Sequence, residues 1–470
     1  FGDGVGEGGR RLDVARDFLI RHDARAAARA LLEADVETPP TFSDAIAELG
    51  WLGLHIDEAH GGSGFGMPEL VVVVEQFGAA IAPGAFVPTV IASAALAATG
   101  DGAAAALLPR LVDGSTAAGI AISGALSAHD GKVTGTAGTV LGGGLADLLV
   151  VVVGDDLAVI ERDASGVEVR VPKNLDPTRR CASVTFDAAD ATIIDGGARA
   201  LIDHARLLLA AEATGVARAT TVLAADYARE RQQFGRVIAM FQAVKHHCAN
   251  MLVEAEIATA MVWDAARAAA AGGESFSYAA AMAATLATHA ADRDAQLDIQ
   301  VHGGIGFTWE HDAHLYLRRA LAIEAFVDPE AAAIEVTEHL RRGTTVVRAV
   351  ELPPEAEAHR AEVRSAIEQV RGLEGVELVR ALVASGYAVP HWPRPWGRAA
   401  GAVEQLVIEE EFRAAGIKRP SYAITGWVIL TLTQYATDDQ VARWIRPALD
   451  QEVIWCQLFS EPDAGSDAAG

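Results

Sequence analysis

Three stretches of this 470-residue sequence carry residues able to do chemistry together. The first is Arg231-Gln232-Gln233-Phe234-Gly235, followed by Ile238, Phe241 and Gln242. A guanidinium such as that of Arg231 grips a pyrophosphate through forked, charge-assisted bonds. Gly235 permits close backbone approach, and on one helix Gln242 would lie about three turns beyond Arg231 on the same face. The second is Gln300-Val301-His302-Gly303-Gly304-Ile305-Gly306-Phe307, whose glycines free N–H groups at a turn between helices, where a phosphate can sit. No strand precedes it, so it is not a dinucleotide fingerprint of the βαβ kind. The third runs from Trp455-Cys456-Gln457-Leu458-Phe459-Ser460 through Glu461-Pro462 to Gly465-Ser466-Asp467. A short apolar strand there enters a turn that offers a hydroxyl and backbone donors to a planar heterocycle, and a second hydroxyl to a ligand. Taken singly, the first two are also compatible with a solvated helix and an ordinary glycine turn.

The elements that must hold these residues follow from periodicity. Residues 1–115 read as a helical domain, with Arg11 to Glu33 Ala/Leu/Arg-rich at helical spacing, a helix near Asp44 to Leu49 and another over Glu69 to Ala80. Over 116–200, β-branched runs such as Leu148 to Val153 and Ala182 to Phe186, separated by Gly, Asp and Pro, predict a small antiparallel β domain. Over 201–341, three long Pro-free stretches, His204 to Arg231, Val237 to Ala271 and Tyr278 to Val301, predict a helix bundle. A linker is expected over 342–358, a second helical domain over 359–454 and the opening of a second β domain over 455–470. The fold class is therefore α+β, mainly α.

A formal charge of −25 argues against nucleic acid and anionic membrane as main partners. Cys181, Cys248 and Cys456 are far apart and form no CxxC, which fits a reducing cytoplasm and no structural metal. The apolar runs are too short for stable membrane insertion, and no signal peptide is visible. Both ends, Phe1 and Gly470, read as cut.

The opening pattern returns late in the chain. Gly50, Gly61 and Glu75 have counterparts in Gly386, Gly397 and Glu411, each 336 residues on, and Pro109 matches Pro447 at 338. A domain-sized spacing predicts a tandem duplication rather than a solenoid.

Together the three motifs resemble the acyl-CoA dehydrogenase family, over nearly the whole chain. Leu175-Asp176-Pro177-Thr178-Arg179 is similar to a strand approach in that family's β domain. The resemblance implies an acyl-CoA dehydrogenase-like module of helical, β and helix-bundle domains, followed by the start of a second copy. It implies FAD, an acyl-CoA thioester and α,β-dehydrogenation, with a carboxylate taking the α-proton, the β-hydride passing to flavin N5, and an electron-transfer flavoprotein receiving the electrons. Gln457, Leu458, Phe459 and Ser460 would line the flavin and Ser466 would touch the acyl-CoA. Arg231, Gln233, Phe234, Gln242 and Gln300, Val301, His302, Gly303 and Gly304 would hold the adenosine diphosphate end of a neighbouring subunit's flavin.

The sequence departs from the family at its chemistry. The first module has Gly119 to Ala125 where the Ser-Glu-Pro loop belongs, and its two slots for the catalytic base hold Val327 and Ala205. Asp328 and Glu324 are the neighbouring carboxylates. The second module keeps the loop, and its base is expected beyond Gly470. The halves are thus expected to form an intramolecular pseudo-dimer with one working flavin site, and a further homodimer. This pattern is similar to the double-length enzymes of actinobacterial steroid side-chain degradation. An acyl-CoA oxidase and a non-catalytic flavin-binding scaffold are the alternatives, and the chain alone is expected to be inactive.

Overall fold

The structure, a computed structural model, describes residues 7–346 and 352–458. The chain divides into two compact units, residues 1–348 and 349–470.

The first unit opens with helices α1 (Glu7–Arg21), α2 (Ala24–Ala30), α3 (Ser43–Glu48), α4 (Met67–Ala80), α5 (Phe86–Thr99) and α6 (Gly102–Val112). The expected single helical stretch over 11–33 is two helices. Asp23 takes a left-handed conformation and its carboxylate caps α2 at the Ala26 N–H, so the chain turns there. Local chemistry sets the other starts as well. Glu69 reaches back to the Gly66 N–H at the head of α4, and Asp101 accepts from Ala103 and Ala104 at the head of α6.

The middle of the unit holds eight strands: β1 (Ala118–Ala121), β2 (Gly124–His129), β3 (Lys132–Val140), β4 (Leu148–Val153), β5 (Asp156–Glu161), β6 (Val167–Arg170), β7 (Ala182–Asp190) and β8 (Thr192–Ile194). They form two four-stranded sheets, ordered β1-β4-β5-β8 and β2-β3-β7-β6. The expectation of a purely antiparallel domain is corrected here, because β1 pairs with β4 in parallel. The physical reason lies in burial. Leu148 and Val150 of β4 face the helical core, whereas Leu149, Val151 and Val153 face the second sheet. A strand apolar on both faces suits a parallel pairing inside the molecule, and its sequence is a continuous apolar run.

A helix bundle closes the unit: α7 (Ala198–Glu230), α8 (Gln242–Ala268), α9 (Gly273–His302), α10 (Ala313–Val327) and α11 (Pro329–Arg342). α7 is long and apolar enough to cross a membrane by composition, contrary to the reading of the apolar runs above, but 78% of its apolar window is buried as the central helix of this unit. Its buried Asp203, Arg206 and Glu212 each meet an ionic partner, Arg199, Glu335 and Arg319 respectively, as core charges must.

The second unit contains α12 (Ala356–Val370), α13 (Gly375–Ala384), α14 (Ala402–Ala414), α15 (Ala423–Tyr435) and α16 (Asp438–Leu449) around its own apolar core. α14, α15 and α16 begin 335, 337 and 336 residues after α4, α5 and α6. A matching contact follows in each unit. Thr89 Oγ1 accepts from the Ala118 N–H at 3.0 Å, and Thr425 Oγ1 accepts from the Trp455 N–H at 3.0 Å.

Candidate functional site

The Arg231–Gln242 stretch is not the continuous helix that would put both side chains on one face. α7 ends at Glu230, Arg231 is extended, and a hairpin of β9 (Gln232–Gln233) and β10 (Arg236–Val237) follows. Phe234 and Gly235, both at positive φ, form its two-residue turn, which is the geometry that joins tightly twisted strands. The Ile238 N–H closes the hairpin on the Arg231 carbonyl at 2.8 Å, and α8 starts only at Gln242. Arg231, Gln233 and Gln242 are exposed, and Phe234 is 90% exposed.

The second motif forms the end of α9. Gln300, Val301 and His302 are its last residues, and the Gly303 N–H bonds the Ile299 and Gln300 carbonyls at 3.0 and 3.2 Å. Gly303 and Gly304 are exposed, and a Cβ on either would meet nothing within 4 Å, so their backbone is open to a ligand. Gly303 has φ +64°, which favours glycine. The structure brings these two motifs together. Tyr227, one turn before Arg231, stacks on His302 with ring centroids 4.3 Å apart, and Ala224, Ala228, Met251 and Val301 form one small apolar cluster beneath both. An exposed Arg, two amides and an unobstructed Gly-Gly turn fit the diphosphate and ribose of a dinucleotide.

Both base slots of the first unit are closed. Val327 and Ala205 are buried in the main core. Asp328 is occupied structurally: it sits at φ +53° between α10 and α11, and its carboxylate accepts from the Ala331 N–H. Glu324 is half-buried, and burial together with Asp292 raises its pKa. His204, next to Ala205 in sequence, and His55, which acts on it, are buried imidazoles. Burial holds His204 below its usual pKa and pushes His55 down to about 3, with His55 Nε2 3.1 Å from Ser93 Oγ. Neutral rings in apolar surroundings are poor takers of an α-proton.

A feature that sequence reasoning missed binds three parts of this unit. Arg319 of α10, fully buried, donates to Asp176 Oδ2 at 2.5 Å, to Thr178 Oγ1 at 2.7 Å and to Glu212 of α7. Arg179 donates to the same Glu212 at 2.9 Å. Two cations face two anions, so the core charge is balanced. Burial works to raise the pKa of Asp176, and Arg319 and Thr178 more than offset it, leaving it below the usual carboxylate range. The Leu175–Arg179 segment is thus an ion-paired loop between β6 and β7. Its charged residues could have been noticed as an Asp-x-Thr-Arg run, but their partners are remote in sequence.

In the second unit Gln457 and Leu458 are exposed and Trp455–Leu458 form no strand, contrary to expectation. The reason is topological. In the first unit β1 is held by β4, about thirty residues later, and no counterpart of β4 lies among the described residues of the second unit. Phe459, Ser460 and Ser466 lie outside the described residues. A cleft of about 1170 Å³ in this unit is lined by α14, α15 and the aromatic rings of Trp392, Phe412, Tyr422 and Trp427. In the first unit a cavity of about 810 Å³ lies between α3, the start of α5 and the approach to β1, away from the hairpin and the Gly303 turn. Among the described residues, no group of three or more His, Cys, Asp or Glu is placed to hold a metal ion.

Comparison with known proteins agrees with this architecture. The acyl-CoA dehydrogenase N-terminal domain matches residues 11–115, and the acyl-CoA dehydrogenase C-terminal domain matches residues 197–326. Acyl-CoA dehydrogenase FadE34 of Mycobacterium tuberculosis is 37% identical over 434 residues, which are 92% of this chain and 60% of that protein. The chain therefore spans about three fifths of that relative's length. Acyl-CoA dehydrogenase IpdE2 of the same organism is 32% identical over 309 residues, 66% of this chain and 89% of that protein. Among solved structures, the steroid acyl-CoA dehydrogenase Tcur3481–Tcur3483, in a variant form, superposes with a TM-score of 0.67 at 27% identity, covering 72% of this chain and 98% of that one. Butyryl-CoA dehydrogenase from Megasphaera elsdenii, at 21% identity and a TM-score of 0.64, shares the fold. The chain belongs to the acyl-CoA dehydrogenase family.

Proposed function

We propose that this chain is part of a cytoplasmic, FAD-dependent enzyme that α,β-dehydrogenates a bulky acyl-CoA of the steroid side-chain type. In this reading residues 1–348 are a degenerate pseudo-subunit, and residues 349–470 open a second module that carries the working active-site loop. The observation that carries it is the closure of both base slots by Val327 and Ala205 in a unit whose hairpin and Gly303–Gly304 turn stay exposed. The repeated Thr89–Ala118 and Thr425–Trp455 contacts support the duplication, and the wide aromatic cleft of the second unit supports a bulky acyl group.

When bound, FAD supplies the hydride acceptor. The chain's own residues would supply grip: Arg231 would pair with a phosphate, the Gln242 and Gln300 amides would bond ribose or phosphate oxygens, and the Gly303 and Gly304 backbone would approach the diphosphate. The Ser460 segment would line the flavin ring and Ser466 would touch the thioester, while the carboxylate that takes the α-proton would come from outside the first module. Phe234, Met240, Leu252, Val253, Ile257 and Phe307 are exposed large apolar residues of the first unit, which supports burial of that surface in an assembly. An electron-transfer flavoprotein is the expected acceptor.

The test uses the protein with a completed second module. Steroid side-chain CoA thioesters should reduce an electron-transfer flavoprotein, with slow reaction toward oxygen. Rapid oxygen consumption without an acceptor would replace the dehydrogenase by an oxidase. The closed base slots also favour a second reading, a flavin-binding scaffold, which absence of turnover in a yellow preparation would establish.

A further inference from the structure

His302 ends α9 with its ring held from three sides. Nδ1 lies 2.8 Å from the Asp298 carbonyl oxygen and 3.0 Å from Asp298 Oδ1, one turn back on the same helix. Tyr227 of α7 stacks on one face at 4.3 Å, and His311 lies 4.4 Å away in the segment before α10. Asp298 is fully buried; among the described residues its carboxylate accepts no hydrogen bond, and its ion-pair contact is His302 Nδ1 at 3.0 Å. A buried carboxylate is stabilised by the one cationic group that can face it.

We propose that Asp298 is a positioning residue for dinucleotide binding: it fixes the proton on His302 Nδ1 and holds the ring as an imidazolium, so that the Gly303–Gly304 turn carries a positive charge toward a diphosphate. This rests on the reading of that turn as an adenosine diphosphate contact. A buried imidazole left to itself would be neutral, and a neutral ring adds little to an anion site. Burial does oppose the charge of His302, and the Asp298 carboxylate and carbonyl more than offset it, raising the pKa above the usual histidine value. The other titratable groups around the pair do not supply the same effect. His311 accepts from the Ala313 N–H at Nδ1, and burial and His302 lower its pKa, so it stays neutral. Burial raises the pKa of both Cys248 on α8 and Tyr316 on α10, so neither supplies a charge near neutrality. Asp312 and Arg29 act on His311 with opposite signs and pair with each other at 2.8 Å.

The experiment uses the 470-residue chain with ¹⁵N-histidine labelling, backbone amide labelling and ADP as the probe. The His302 ring is titrated by NMR in the wild type and in Asp298→Asn, which keeps the shape of the side chain. ADP affinity is measured from pH 5.5 to 8.5 in both, and in His302→Gln. The expected result is a lower imidazole pKa in Asp298→Asn, with the rise in ADP affinity on acidification displaced to lower pH. His302→Gln should bind about tenfold more weakly at low pH and lose that rise, the scale of one charge-assisted hydrogen bond. An unmoved His302 titration in Asp298→Asn overturns the proposal whether or not ADP binds. If ADP shifts the Gly303 and Gly304 amide signals but binds His302→Gln as tightly as wild type, the turn's reading stands and the positioning role falls. If ADP moves neither amide, the turn's reading fails and the proposal falls with it.

Discussion

Gly215 of α7 and Glu75 of α4 approach so closely that a Cβ on Gly215 would stand 1.9 Å from the Glu75 carbonyl oxygen. The contact is reciprocal, since a Cβ on Gly78 of α4 would stand 2.0 Å from the Glu212 carbonyl oxygen. The crossing places Glu212 where Arg319 and Arg179 meet it, so two glycines set the spacing on which the buried charge network depends.

The consequence is measurable. Alanine in an exposed helix gains about 1 kcal/mol over glycine. Here the added methyl meets backbone, which cannot rotate away, and overpacking costs about 1–3 kcal/mol. Gly215→Ala and Gly78→Ala should therefore each lower stability by about 2 kcal/mol in urea denaturation, the reverse of the propensity trend.

Glu75 itself gives a pH prediction. Burial raises its pKa from 4.5 to about 7 against the pull of Arg218 and Trp263. Because the folded value lies above the unfolded one, its contribution is fully present below pH 4.5 and is lost as pH rises through 7. Glu75→Gln should be close to neutral at pH 4.5 and stabilising at pH 8, by on the order of 3 kcal/mol as an upper bound. Urea midpoints of the two proteins at both pH values provide the check.

Removing the central cation of the network should be severe. Arg319→Met leaves the buried Asp176 and Glu212 with Arg179 as their nearest cation. A broken buried pair costs about 3–5 kcal/mol, so this variant should show a loss of that size in chemical denaturation. A loss under 1 kcal/mol would mean that water or local rearrangement replaces the guanidinium.

Placing a carboxylate in the vacant base slot should not create an enzyme. Val327 lies in the core of the first unit, so Val327→Glu buries a charge or a proton without a partner. It should destabilise the unit by about 2 kcal/mol or more. It should also leave acyl-CoA turnover by the 470-residue chain undetectable with an artificial electron acceptor.

Much of this architecture is legible in the residues themselves. The apolar run of β4 and the long alanine-rich stretches of α7, α8 and α9 identify a β layer between helices, because burial writes directly into composition. The Gly303–Gly304 turn is legible as well, since glycine there meets a backbone requirement. The hairpin at Phe234–Gly235 was hidden, because Arg231 and Gln242 fit a helix equally well and the positive φ of Phe234 has no signature in a non-glycine residue. The parallel pairing of β1 with β4 and the bond from Arg319 to Asp176 were hidden for another reason. They join segments about 30 and 143 residues apart, and no local rule of spacing reaches that far.

In the proposed enzyme the first module grips a flavin which the second module uses. This is tested most directly by the FAD content per polypeptide of the protein with a completed second module, read from flavin absorbance against protein concentration. One FAD per chain, falling well below one half in Arg231→Ala, is the predicted result. Two FAD per chain, or an occupancy that Arg231→Ala leaves at one, would contradict it.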